Sequence, residues 1–241
     1  MIIIEHISKS FGEIEAVDDV SFSAEKGVVA LLGQNGAGKT TLIRLITSFL
    51  AADCGKISLC GHNLEENREK ALFEVGYVPE NNPIYQDMTT YNFIKSVAEI
   101  WKMSKQDFKD SLLSLSESLN IKEVMTQKIA TLSKGYKRRV AIVASLIHHP
   151  KIVILDEPTD GLDPNQKYYV RKFLKEYSKE NLVLISTHIM EDVEAIADRV
   201  LLMEKGKLIS DTTVEKFKQS GGDMMSAFQK MTSQKRLGEE A

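Results

Sequence analysis

Two separated groups of residues in this chain have the types and spacing to act together on a phosphate ester. The first is Gly33-Gln34-Asn35-Gly36-Ala37-Gly38-Lys39-Thr40, followed by Thr41, which fits the phosphate-binding pattern G-x-x-x-x-G-K-[ST]. Its glycines let backbone N–H groups turn inward around phosphate oxygens, and a helix N-terminus adds partial positive charge at the same place. Lys39 can reach the β- and γ-phosphates as a point charge, and Thr40 can hold Mg²⁺ through its hydroxyl. The second group is Asp156-Glu157, an acidic pair closing an apolar run. A carboxylate there can hold Mg²⁺, usually through water, and its neighbour Glu157 is placed to polarise an attacking water. Such a pair is common as an ordinary strand end; only beside a phosphate-binding loop does it point to hydrolysis.

Both groups need elements to hold them. Val28-Val29-Ala30-Leu31-Leu32 reads as a buried strand ending at Gly33, and the helical pattern Thr41-Leu42-Ile43-Arg44-Leu45-Ile46 follows at once. Ile152-Val153-Ile154-Leu155 reads as a second buried strand that delivers Asp156. The chain before the loop turns like antiparallel β, roughly Ile2 to Ser10 and Glu15 to Ser23. Lys56 to Gly61 and Val75 to Val78 read as further strands, the latter stopped by Pro79. From Thr89 to His149 the spacing is helical throughout, with Ser104-Lys105-Gln106-Asp107 as a capping box for a helix through Leu119. A block of helices between strands suggests a helical subdomain. Afterwards Asp163-Pro164 reads as an N-cap with proline at the first helical position, and Leu182 to Ile185 as a strand. Val200–Glu204 and Lys207–Ser210 flank Lys205-Gly206 as a hairpin. Residues 221–241 read as a polar C-terminal tail with a mobile end.

Composition narrows the partners. At 241 residues with 43% apolar content, the chain can bury a core without staples. A net charge of −3 opposes nucleic-acid binding by bulk charge. Cys54 and Cys60 have no metal-ligand spacing and read as free thiols of a reducing cytosol. No apolar run is long enough to span a bilayer, and Met1-Ile2-Ile3-Ile4, followed by Glu5 and His6, is no signal peptide. The chain is therefore expected in the cytoplasm, with any membrane part supplied by another protein.

The run Leu132-Ser133-Lys134-Gly135-Tyr136-Lys137-Arg138-Arg139, followed by Lys151 to Pro164 with Asp156-Glu157-Pro158-Thr159-Asp160-Gly161-Leu162-Asp163, resembles the nucleotide-binding subunit of an ABC transporter. The resemblance covers nearly the whole chain, from Ile2 to about Ser210. It implies an α/β P-loop ATPase fold: a mixed sheet with an N-terminal antiparallel β subdomain and an inserted helical subdomain. Residues 1–220 would form one domain, with 1–88 and 150–211 as nucleotide-binding core and 89–149 as helical subdomain. It further implies ATP and Mg²⁺, and a head-to-tail dimer of two copies or of paralogues that sandwiches two ATPs. By the same resemblance Phe11 stacks on adenine, Gly33 to Thr41 form the phosphate loop, Asp156 with Thr40 holds the metal and Glu157 is the catalytic base. Ser133 and Gly135 reach the ATP of the opposed subunit, Asp163 communicates across the dimer, and His188, just after Ser186-Thr187, contacts the γ-phosphate. His6, His62, His148 and His149 match nothing and read as surface or packing residues.

This chain departs from the family pattern at two places. Glu80 stands after Tyr77-Val78-Pro79 where glutamine is usual; the residue there touches Mg²⁺ and the attacking water. A carboxylate is the better Mg²⁺ ligand, but it only accepts hydrogen bonds and adds charge near the γ-phosphate. The signature reads Leu-Ser-Lys-Gly-Tyr instead of Leu-Ser-Gly-Gly-Gln. Lys134, Lys137, Arg138 and Arg139 read mostly as a solvated basic face, with Lys134 facing the partner's nucleotide and offsetting Glu80. The linker Asn81 to Thr89 leads into the helical block, and the resemblance makes this the groove for a permease's coupling helix. Tyr85, Met88, Phe93 and Trp101 are the candidate apolar contacts.

The reading is thus an ATP-hydrolysing subunit, peripheral to the membrane, that drives a separate permease, with export of the drug-resistance or sodium-efflux kind ahead of import. A soluble ABC ATPase acting on ribosomes or DNA is the competing class. It fits less well, because the chain has one phosphate loop, no long heptad run and no cysteine cluster. A regulatory nucleotide binder without turnover is opposed by Glu157 and His188.

Overall fold

The computed structural model describes residues 1–81 and 83–238, with side chains through residue 232. Asn82 of the linker and the end of the tail, 239–241, lie outside the described residues. The chain begins with strands β1 (Ile2–Phe11) and β2 (Ile14–Ala24), then β3 (Gly27–Leu32) and helix α1 (Lys39–Ile46). There follow β4 (Cys54–Leu59), β5 (His62–Asn63), α2 (Arg68–Phe73) and β6 (Val75–Val78). Helices α3 (Thr90–Ile100), α4 (Lys105–Ser118) and α5 (Lys134–Leu146) come next, with 3₁₀ turns at Lys122–Val124 and Ile129–Thr131 breaking the run between α4 and α5. The chain then alternates through β7 (Ile152–Asp156), α6 (Pro164–Tyr177), β8 (Leu182–Thr187) and α7 (Met190–Ile196). It closes with β9 (Arg199–Glu204), β10 (Lys207–Thr213), α8 (Val214–Gly221) and α9 (Met224–Gly238).

The strands form two sheets. An antiparallel sheet has the order β2-β1-β4-β5, and a larger one the order β10-β9-β3-β8-β7-β6. Within the larger sheet β6, β7, β8, β3 and β9 run parallel, and β10 is antiparallel at one edge. Its central strands are apolar on both faces, as a sheet covered on both sides requires. In β3 the alternation is visible residue by residue: Val28, Ala30 and Leu32 face the helices, while Val29 and Leu31 face α1 and the antiparallel sheet. Two apolar cores therefore lie on either side of one sheet.

Local chemistry sets the helix starts. Ser104 accepts the Asp107 N–H at 3.1 Å and its hydroxyl returns a bond to the Asp107 carboxylate, closing the box that starts α4. Asp163 accepts the Gln166 N–H at 3.0 Å, with Pro164 next to it, and starts α6. The C-terminal segment is more structured than a polar tail: α9 buries Met224, Ala227 and Phe228 beside Phe217 of α8. Its apolar residues are too few for a strong sequence signal, and tertiary contact supplies the rest. No helix among the described residues is long and apolar enough to cross a membrane.

Leu184 sits on β8, the strand flanked by β3 and β7, with 1% exposure. Leu184→Ala should cost about 2–5 kcal/mol of unfolding free energy, read as a lowered urea midpoint with little change in slope.

Candidate active site: a phosphate cleft at the strand ends

The parallel pairing decides which residues meet. Leu32 pairs with Thr187, and Asp156 with Ser186, so β3, β8 and β7 end together. The loops after them carry Gly33, His188 and Glu157 to one edge, the usual ligand position of an open α/β sheet. A cleft of about 630 Å³ opens there, walled by Asn35, Gly36, Gly38, Lys39, Thr40, Thr41, Glu80, Asp156, Glu157 and His188.

The glycine loop owes its shape to close backbone approach. Gly38 has φ +102 and caps α1, and a Cβ there would lie 2.3 Å from the Ala16 carbonyl oxygen. Lys39 is buried, and its ammonium donates to the carbonyls of Gly33 at 2.7 Å and Gln34 at 3.1 Å. Burial lowers its pKa, with Glu157 and Asp156 pulling the other way. The hairpin turn at Lys205-Gly206 braces the loop from outside: the Gly206 N–H donates to the Ala37 carbonyl at 3.0 Å, and the Gly206 carbonyl accepts from the Asp18 N–H at 2.9 Å.

The acidic pair is held by Ser186. Its hydroxyl donates to Asp156 Oδ1, while Glu157 N–H donates to the Ser186 carbonyl at 3.1 Å. Glu157 itself has φ +48, a left-handed conformation that costs a non-glycine residue energy. Its Oε1 lies 2.9 Å from His188 Nδ1, and its Oε2 is buried without a hydrogen-bond partner. A buried carboxylate oxygen without a partner, on a residue of the cleft wall, has acceptor capacity left for a water or a metal-bound water. Behind these loops Asp192, fully buried on α7, accepts the Thr159 hydroxyl and the Arg171 Nε at 2.8 Å. This ties α7, α6 and the loop after Glu157 into one block.

Other sequence candidates lie elsewhere. Phe11 is half exposed at the end of β1 and does not line the cleft. Ser133, Gly135 and Asp163 lie outside it too. Ser133 caps α5 by accepting the Tyr136 N–H at 3.3 Å, and a Cβ on Gly135 would meet the Gln166 carboxamide at 1.4 Å. Gln34 and Ala37 line a smaller cavity of about 140 Å³ shared with Phe228 and Thr232 of α9. The residues that the sequence reading missed are Ile14, Glu15, Ala16, Asp160 and Lys205, which complete the cleft wall. Of these only Lys205-Gly206 left a signal, as a turn.

The basic run differs from its sequence reading. Arg138 and Arg139 are buried, not solvated. Arg139 donates to the carbonyls of Leu119 at 2.9 Å and Asn120 at 2.8 Å and covers the Tyr136 ring at 4.2 Å. Lys134 pairs with Asp160 at 3.3 Å.

A second concavity, of about 390 Å³, lies between β6 and helices α3 and α5 and is apolar. Phe49, Tyr77, Ile84, Phe93, Trp101 and His148 line it. Trp101 stacks on His148 at 3.9 Å, and burial holds the His148 imidazole at a pKa of about 4. Tyr85 and Met88 are exposed beside this groove, whereas Phe93 is buried within it.

Fold and cleft together define a nucleotide-binding P-loop ATPase. The ABC transporter family model matches residues 17–160, more than half of the chain. The chain is 32% identical to the linearmycin resistance ATP-binding protein LnrL of Bacillus subtilis, over 92% of this chain and 73% of that one. It is also 32% identical to the ABC transporter ATP-binding protein NatA of the same organism, over 91% of this chain and 92% of NatA. Among solved structures, an ATP-binding subunit of an ABC transporter superposes with a TM-score of 0.88 at 25% identity, covering 96% of this chain and 99% of that one. The chain belongs to the ABC transporter family, and it is an ATP-binding ATPase subunit of that family.

Asp192→Ala would leave Arg171 and Thr159 without their buried acceptor. It should lower stability by about 3 kcal/mol, measured by chemical denaturation, because removing one member of a buried pair strands the other.

Proposed function

We propose that the chain hydrolyses ATP with Mg²⁺ in a cleft completed by a second copy, and that this work drives export through a separate membrane permease. The observation carrying the hydrolytic reading is Glu157, a residue of the cleft wall whose Oε1 lies against His188 and whose buried Oε2 has no hydrogen-bond partner. The donor set fits Mg²⁺: the Thr40 hydroxyl and the Asp156 carboxylate, with Glu80 as a further oxygen on the same cleft wall. Among the described residues no cluster of His, Cys, Asp and Glu could hold a metal alone. ATP's phosphates would therefore complete the coordination, as is usual for Mg²⁺.

In this reading the loop amides of Gly36, Gly38 and Lys39 bind the phosphates, and the Lys39 ammonium neutralises charge at the transferred group. The Glu157 carboxylate accepts a hydrogen bond from the attacking water and takes its proton as the water oxygen bonds to the γ-phosphorus and the bond from that phosphorus to the β–γ bridging oxygen breaks, releasing ADP. His188, held by Glu157, contacts the γ-phosphate. Phe11, exposed at the end of β1 and outside the cleft wall, would stack on adenine. Ser133 and Gly135, outside the cleft, would serve the ATP of an opposed copy or paralogue, and Asp163 would communicate across that dimer. The apolar groove beside Tyr85 and Met88 is suited to a helix of the permease, and residues 89–149 form the subdomain that presents it. The chain would then work at the cytoplasmic face of the membrane. The export direction is supported by the relative named for linearmycin resistance.

Glu157→Gln should retain ATP binding, lower phosphate release by about 10²–10⁴-fold, and accumulate an ATP-bound dimer visible by size-exclusion chromatography. Purification from detergent-solubilised membranes should recover a membrane protein with this chain. Recovery with ribosomes or nucleoid alone would overturn the transporter reading.

A further inference from the structure

Arg138 is buried on α5, on the helix opened by Ser133, yet its guanidinium reaches the loops behind the phosphate cleft. One arm donates to the carbonyl of Pro79 at 2.6 Å and lies 3.5 Å from that of Glu80. The others donate to the carbonyls of Pro158, at 3.3 Å, and of Asp156. These acceptors bracket both acidic loops: Glu80 on one side, Asp156 and Glu157 on the other. We propose that Arg138 is the positioning residue that fixes the Glu80 loop against the Asp156-Glu157 loop, and that its cation offsets the added carboxylate at Glu80.

Five carboxylates line a cleft that must accept a polyanion: Glu15, Glu80, Asp156, Glu157 and Asp160. Mutual repulsion there raises the cost of binding ATP, and a fixed cation behind them lowers it. Lys134, the sequence candidate for that task, is engaged by Asp160 at 3.3 Å and does not line the cleft. Arg138 is the better placed cation. Burial draws its pKa down to about 10, and Asp156, Glu80, Tyr77 and Glu157 oppose that fall, so it stays charged at neutral pH. A planar fork suits it to several carbonyls at once, which an ammonium cannot match. The same contacts give α5 a rigid link to the cleft: movement of Ser133 and Gly135 is passed through Arg138 to both acidic loops.

The inference rests on reading Glu80 as a carboxylate of the ATP cleft. Its test is a double-mutant cycle of Arg138→Gln and Glu80→Gln, reading affinity for a fluorescent ATP analogue in EDTA and, separately, kcat. Arg138→Gln alone should weaken binding about tenfold, and in the Glu80→Gln background about twofold or less. Glu80→Gln alone should bind ATP at least as well as the parent chain. Equal losses in the two backgrounds would overturn the charge offset. Arg138→Lys keeps the charge and removes the fork, so it should hold affinity within about threefold while kcat falls about tenfold or more. An unchanged kcat in Arg138→Lys would overturn the positioning role, and thermal melts of each variant identify any that fail to fold. If the parent chain itself bound no ATP, the proposed function would fail, an outcome distinct from either arm of the cycle.

Discussion

The placement of β8 between β3 and β7 is the constraint on which the rest depends. Parallel strands in register must end at the same edge, so a loop from each strand opens onto one cleft. Residues far apart in the chain, Lys39, Glu157 and His188, come together through this pairing alone. The sheet can be flat-out apolar here because it is covered on both faces: α1 and the antiparallel sheet on one side, the helices on the other. Burial of those faces fixes the register, since a one-residue slip would reverse every side chain. The chemistry at the edge therefore inherits its precision from the core.

That core also carries an energetic burden at the edge. Asp156 is buried, Lys39 is buried, and Glu157 adopts a left-handed backbone. A buried carboxylate needs donors, and Ser186 on the neighbouring strand supplies one while its carbonyl receives the Glu157 N–H. Serine suits this spot because one small side chain bonds the acid while its backbone stays in the sheet. The left-handed turn at Glu157 sends the chain out of β7 abruptly and leaves Oε1 beside His188 and Oε2 free. Strain that survives where strands, serine and histidine over-determine it is more informative than strain in a loose loop.

Much of this was legible from the residues. The glycine loop, its strand and its helix have a pattern with a physical cause, and the caps at Ser104 and Asp163 are local chemistry that the sequence states outright. The family and the fold class followed from motifs in order along the chain. What stayed hidden depends on distant partners. Arg138 and Arg139 look like a solvated basic run, because their acceptors at Pro79, Glu80, Asp156 and Leu119 are 18 to 59 residues away. Strand β5 is too short for its alternation to show, and α9 is helical through contact with α8 more than through its own apolar stripe. The cleft wall from Ile14 to Ala16 belongs to no motif, its Glu15 carboxylate included, and so left no sign.

The burial of Arg138 also changes what the departure at Glu80 means. Considered alone, an acid in place of glutamine adds negative charge to a site that must bind a polyanion. Considered with Arg138, the site holds one more carboxylate than usual and a buried guanidinium beneath it, so the local charge is arranged across two layers. The outer layer lines the cleft and the inner layer belongs to α5. A pair of that kind makes the cleft's electrostatics depend on where α5 sits, because the cation travels with the helix. In a dimer where α5 meets the opposed nucleotide, one helix movement would then both present Ser133 and Gly135 to one ATP and retune the acidic wall around the other.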